Sequence, residues 1–104
     1  MLDLILIDDD LLIRKAWEFA AKKKCKLIKT YASVDHFLSN KTNLDISTPI
    51  YIDQELADGR LGIKESAKIA DAGFLKIFLA TGHNPSSIEL PAYMSGIIGK
   101  KPPF

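Results

Sequence analysis

The chain has 104 residues, a formal net charge of +1, a hydrophobic fraction of 47% and a charged fraction of 26%. This is the size of one small domain that can bury one core, so a single domain over residues 1–104 is expected. The near-neutral charge calls for no nucleic acid or anionic membrane, no apolar run is long enough to span a bilayer, and the lone Cys25 excludes an internal disulfide, which together point to a cytoplasmic protein.

The first apolar run, Leu2–Ile7, predicts a strand that ends at Asp8-Asp9-Asp10. Asp10 is placed to cap a helix over about Leu11–Lys24, with Ile13, Ala16, Trp17 and Ala20 as its buried stripe. Lys22-Lys23-Lys24 close that helix, where cations favour the C-terminal dipole. A second strand is expected over Lys26–Tyr31. Ser33 then caps a short helix to about Ser39, with Val34, Phe37 and Leu38 facing inward. A loop over Asn40–Thr48 leads to a third strand, Ile50–Asp53. Asp58-Gly59 and Gly62 mark the next loop, and a helix over about Ile63–Ala72 ends at Gly73. Leu75–Ala80 reads as a fourth strand, Asn84-Pro85-Ser86 as a turn and Gly96–Gly99 as a fifth strand. Pro85 and Pro91 limit any fourth helix, between Thr81 and Lys100, to about one turn or none.

Strands alternating with helices imply a parallel sheet with right-handed crossovers, an α/β three-layer sandwich. Five strands fit the flavodoxin-like order 2-1-3-4-5, in which the carboxyl ends of strands one, three, four and five share one edge. Ligands of open parallel sheets bind at that edge. The residues expected there are Asp8, Asp9, Asp53, Thr81 and Lys100. Any one of them alone is an ordinary capping, turn or solvated residue. Together they suit a divalent cation and a phosphoryl group. Asp9 and Asp53 offer carboxylates to Mg²⁺ (or Mn²⁺), Asp8 holds a metal-bound water, and the backbone carbonyl of Glu55 completes the set. Asp53 is the candidate nucleophile, since a carboxylate forms an aspartyl-phosphate. Lys100 neutralises one phosphoryl oxygen and the Thr81 hydroxyl donates to another.

This combination resembles the receiver domain of two-component response regulators, over essentially the whole chain. Leu-Ile-Leu-Ile-Asp8-Asp9-Asp10 is similar to the family's acidic-pair motif, Ile-Tyr-Ile-Asp53 to its phosphoacceptor strand, Phe-Leu-Ala-Thr81-Gly82 to its switch-threonine strand, and Ile-Ile-Gly-Lys100-Lys101-Pro102 to its lysine before proline. The resemblance implies a phosphorelay. A histidine kinase or histidine phosphotransfer domain would donate a phosphoryl group to Asp53, after which Thr81 moves inward and the face around strands four and five repacks. It also implies that Glu55 and His83 flank the phosphoryl group and tune its hydrolysis.

The chain departs from the family pattern in several places. No proline follows Asp53; Ala57 or Asp58 stands there instead. Lys101 directly precedes Pro102, but Lys100 has the spacing from strand five and is the favoured active-site lysine. Ile97 replaces the usual aromatic switch residue. The fifth helix is missing, since only Lys101-Pro102-Pro103-Phe104 follow, an ending similar to receivers at the C-terminus of hybrid sensor kinases. Two expectations follow: Phe104 folds back over part of the sheet face left bare, or a partner such as a second copy covers it. Two other function classes compete. A haloacid-dehalogenase-like phosphatase would use Asp8 as nucleophile, but Leu12 stands where that family's motif carries Thr or Val. A degenerate receiver would act as a binding module without phosphorylation, against the intact set of site residues. His36 and the lysine-rich stretch 22–29 read as solvated surface, and Trp17 as packing.

Overall fold

The structure is a computed structural model and describes residues 2–40, 44–82 and 87–104. Its elements are β1 (Leu4–Ile7), α1 (Leu11–Lys23), β2 (Ile28–Tyr31), α2 (Val34–Ser39), β3 (Ile50–Ile52), α3 (Gly62–Asp71), β4 (Ile77–Ala80) and β5 (Gly96–Ile98), with a 3₁₀ turn at Ala57–Gly59. The strands form one sheet of order β2-β1-β3-β4-β5, and every pairing is parallel. The expected turn at Asn84-Pro85-Ser86 and the expected role of His83 lie outside the described residues. Among the described residues between β4 and β5 there is no α-helix, and no described helix is long and apolar enough to cross a membrane.

Alternation along the strands divides the core in two. Ile5, Ile7, Ile50, Ile52, Ile77 and Leu79 point to one face and pack against Val34 and Phe37 of α2 and Ile69 of α3. Leu4, Leu6, Tyr51 and Ala80 point to the other face, where α1 contributes Trp17. Buried on both faces, the strands need continuous apolar runs, as the sequence has them. Each fully buried Ile, Leu or Phe contributes roughly 1.5–3 kcal/mol. Phe104 packs half-buried against the α1-side cluster, so the chain end folds back over this face as one of the two expectations had it. Between β4 and β5, Ile88, Leu90 and Met94 pack on the opposite cluster. Tyr93 ties this segment to α3 through hydrogen bonds to Ser66 Oγ (2.8 Å) and to the Ile63 carbonyl (3.0 Å).

Asp10 caps α1 by accepting from the Leu12 N–H, and Ser33 caps α2 by accepting from the His36 N–H, as their positions predict. One packing expectation is corrected. Ala16 is exposed, and the buried stripe of α1 runs instead through Trp17 and Ala21, with Ile13 half-buried one turn earlier. Positions 13, 17 and 21 are spaced by four, and that row lies against the sheet, while Ala16 sits on the outer flank with Leu12 and Phe19. α1 ends in a Schellman turn: the Lys26 N–H reaches the Ala21 carbonyl and the Cys25 N–H the Lys22 carbonyl, with Cys25 at φ 55°. Gly73, at φ 100°, ends α3 in the same way.

Candidate functional site

The strand register builds the site. Ile7 pairs with Ile52, so Asp8 and Asp53 leave adjacent central strands at the same level. Ladder hydrogen bonds continue one residue past the strands: Asp8 N–H to Tyr31 O (3.0 Å), Asp53 N–H to Ile7 O (2.9 Å) and Thr81 N–H to Ile98 O (3.0 Å). The backbones of all three residues are thereby fixed, and all three are buried. They line an open cleft of about 630 Å³ together with Asp9, Glu55 and Lys100. Its position at the carboxyl ends of the strands, beside the β1/β3 switch in strand order, is where such sheets bind ligands.

Three carboxylates converge in the cleft. Asp8, Asp9 and Asp53 each present an oxygen within 4.8 Å of the others. Asp8 is 1% and Asp53 6% exposed, whereas Asp9 faces solvent. Hard carboxylate oxygens at this spacing can hold a metal ion, which would also relieve their mutual repulsion. The side chain of Glu55 is not among these three, although Glu55 lines the cleft.

Lys100 closes the cluster. Its Nζ lies 2.8 Å from Asp8 Oδ2 and 2.6 Å from Asp53 Oδ1. Lys101 is exposed. Burial raises the Asp53 carboxyl above the usual carboxylate range; the bond to Lys100 pulls it down, the Asp8 charge pushes it up, and the net direction is upward. For Lys100 burial disfavours the charge, but the bonds to Asp53 and Asp8 outweigh it and hold the amine protonated above its ordinary range. Asp53 thus carries a costly buried charge that the lysine offsets only in part.

Several supporting residues carried no sequence signal for this role. The Arg14 guanidinium donates to the Asp8 carbonyl oxygen (2.8 Å), and the Trp17 indole N–H donates to the Lys100 carbonyl oxygen (2.9 Å). Asp8 Oδ1 accepts the Asp10 N–H at 2.9 Å. After Asp53, Glu55 and Leu61 pair as an antiparallel bridge and turn through Asp58 at φ 63°. The chain then passes so close to Asp53 that a Cβ on Gly62 would lie 2.0 Å from its carbonyl oxygen. Gln54 caps α3 here, accepting Gly62 N–H on its carbonyl (2.7 Å) and Ile63 N–H on its side chain (3.1 Å). His36 is exposed, edge-on to Tyr31, and lies outside the cleft.

Comparison of the chain with protein-family models, with curated proteins and with solved structures found no match.

Proposed function

We propose that this chain is a receiver domain of the response-regulator type, with a flavodoxin-like fold, that accepts a phosphoryl group on Asp53. The observation that carries the reading is the Lys100 ammonium between Asp8 and Asp53, in a cleft where three carboxylates and Thr81 meet. A carboxylate nucleophile, a fixed cation and hard oxygen ligands are the groups that phosphoryl transfer asks of a protein.

In the transfer an Asp53 carboxylate oxygen attacks phosphorus. The bond from phosphorus to the donor's imidazole nitrogen breaks, and the electron pair leaves with that imidazole. Lys100 neutralises charge on a phosphoryl oxygen, and the Thr81 hydroxyl donates to another. Hydrolysis reverses the modification: water attacks phosphorus, the acyl phosphate bond breaks, and Asp53 returns as a carboxylate with inorganic phosphate released. Mg²⁺ or Mn²⁺, held by Asp8, Asp9 and Asp53 with the Glu55 carbonyl, would supply charge neutralisation for the phosphoryl oxygens. The donor is a histidine kinase or a histidine phosphotransfer domain. The added negative charge of the acyl phosphate at Asp53, with Lys100 and Thr81 turning to the phosphoryl group, is the local event that biases the switch.

Asp8 is a poor nucleophile by comparison. It is buried, and its two oxygens are engaged by the Asp10 N–H and the Lys100 ammonium. This weighs against the phosphatase reading. The test is incubation with acetyl phosphate and Mg²⁺ followed by mapping of the modified residue. Label at Asp53 is expected. Label at Asp8 would favour the phosphatase, and no label would favour a binding module that works without phosphorylation.

A further inference from the structure

Lys100 follows β5 in a bend, with no helix to hold its backbone. Its side chain is a flexible four-carbon stem, so where the ammonium sits depends on where the backbone is pinned. The pin is Trp17. Its indole N–H donates to the Lys100 carbonyl at 2.9 Å across 83 positions of sequence. Trp17 is 1% exposed. Its ring tilts against Tyr51 at 5.7 Å, and Tyr51 stacks on Phe78 at 4.8 Å. The donor is therefore locked into the sheet by packing. Arg14, three residues earlier on α1, holds the Asp8 carbonyl at 2.8 Å. Residues three apart share a helix face. α1 thus grips the Lys100–Asp8 pair by both of its backbones. A buried indole N–H needs some acceptor in any fold. Here the acceptor belongs to Lys100, whose amine bridges the two buried carboxylates.

We propose that Trp17 is a positioning residue for Lys100, fixing its backbone so that the ammonium is held against Asp53. The consequence for phosphorylation rests on the receiver reading above; the tether itself does not. Without the indole donor, the Lys100 segment loses its link to α1 and the ammonium is less often in place, an error of position that slows chemistry at Asp53.

The experiment uses the full chain with Trp17→Phe, and a second variant in which Trp17 is replaced by benzothienylalanine, which keeps the ring volume and removes only the N–H. NMR relaxation of backbone amides reads the tether directly. The Lys100 amide is expected to gain mobility in both variants, while Ile97 and Ile98 stay as ordered as in the wild type, which also shows that the sheet is folded. Labelling of Asp53 by acetyl phosphate reads the consequence. The initial rate is expected to fall about fivefold, the size of one hydrogen bond. In a Lys100→Ala background, which keeps the backbone acceptor but has no amine, the Trp17 substitutions should cause no further fall. An unchanged Lys100 amide in the benzothienylalanine protein would overturn the proposal, and so would an equal slowing with and without the lysine amine. If the wild type takes no label, the receiver reading fails, and the relaxation result alone decides the tether.

Discussion

Substituting Gly62 by alanine probes how Asp53 is held. The new Cβ would sit 2.0 Å from the Asp53 carbonyl oxygen and 2.8 Å from its carbonyl carbon, where contacts under 3.0 Å essentially do not occur. The two chains must separate by about 1 Å, and both partners are backbone. Asp53 is fixed by its N–H bond to Ile7 (2.9 Å) and Gly62 by its N–H bond to Gln54 (2.7 Å), so neither yields as a side chain would. Overpacking of this kind costs roughly 1–3 kcal/mol. Weakening the Gly62–Gln54 bond adds about 1 kcal/mol. The better helix propensity of alanine returns up to about 1 kcal/mol at this first helical residue. The expected net loss is about 1–4 kcal/mol, with slower labelling of Asp53 because its carbonyl has moved. Urea unfolding followed by Trp17 fluorescence measures the loss. Gly99→Ala is the control, since nothing lies within 4 Å of its Cβ position and its φ is not left-handed; it should stay within about 0.5 kcal/mol of the wild type. A Gly62→Ala protein equally close to the wild type would refute this account of the loop.

Further outcomes follow from the same geometry. Because the folded-state titration of Asp53 is displaced upward by burial, its contribution to stability is full below its unfolded value near 3.8 and is lost as pH rises through the folded value. In EDTA, the wild type should therefore lose stability relative to Asp53→Asn as pH rises, and urea midpoints that run parallel across this range would refute a destabilising buried charge at Asp53. Cys25 holds φ 55° at the end of α1, a conformation glycine adopts freely, so Cys25→Gly should raise stability by about 0.5–1 kcal/mol in thermal unfolding. Mg²⁺ should raise the melting temperature, EDTA should reverse the rise, and Asp9→Asn should abolish it; at 100 times the dissociation constant the gain is about 2.7 kcal/mol. A melting temperature insensitive to Mg²⁺ would argue against a cation among Asp8, Asp9 and Asp53.

The strands and the acidic residues at their ends were legible because buried parallel strands need apolar runs and polar residues interrupt them at the sheet edge. That placed Asp8, Asp9, Asp53, Thr81 and Lys100 along one cleft. The caps at Asp10 and Ser33 and the helix stop at Gly73 followed from local backbone chemistry, which needs no tertiary information. What was not legible depends on contacts distant in sequence. Nothing in the local pattern says that the Trp17 indole reaches the Lys100 carbonyl or that Arg14 reaches Asp8. Nor does it say that Gly62 is required by the approach of another strand's end rather than by its own φ. Cys25 in a left-handed position carries no glycine signal at all. Ala16 was misplaced because helical spacing alone does not say which of two neighbouring rows meets the sheet.

The central claim is that Asp53 is the acceptor. Intact-mass spectrometry of the wild type beside Asp53→Asn, after acetyl phosphate with Mg²⁺ or with EDTA, tests it most directly. The account predicts one added phosphoryl group on the wild type only, dependent on Mg²⁺ and removed by hydroxylamine as an acyl phosphate must be. A phosphoryl group that persists on Asp53→Asn, or that forms equally well in EDTA, would contradict it.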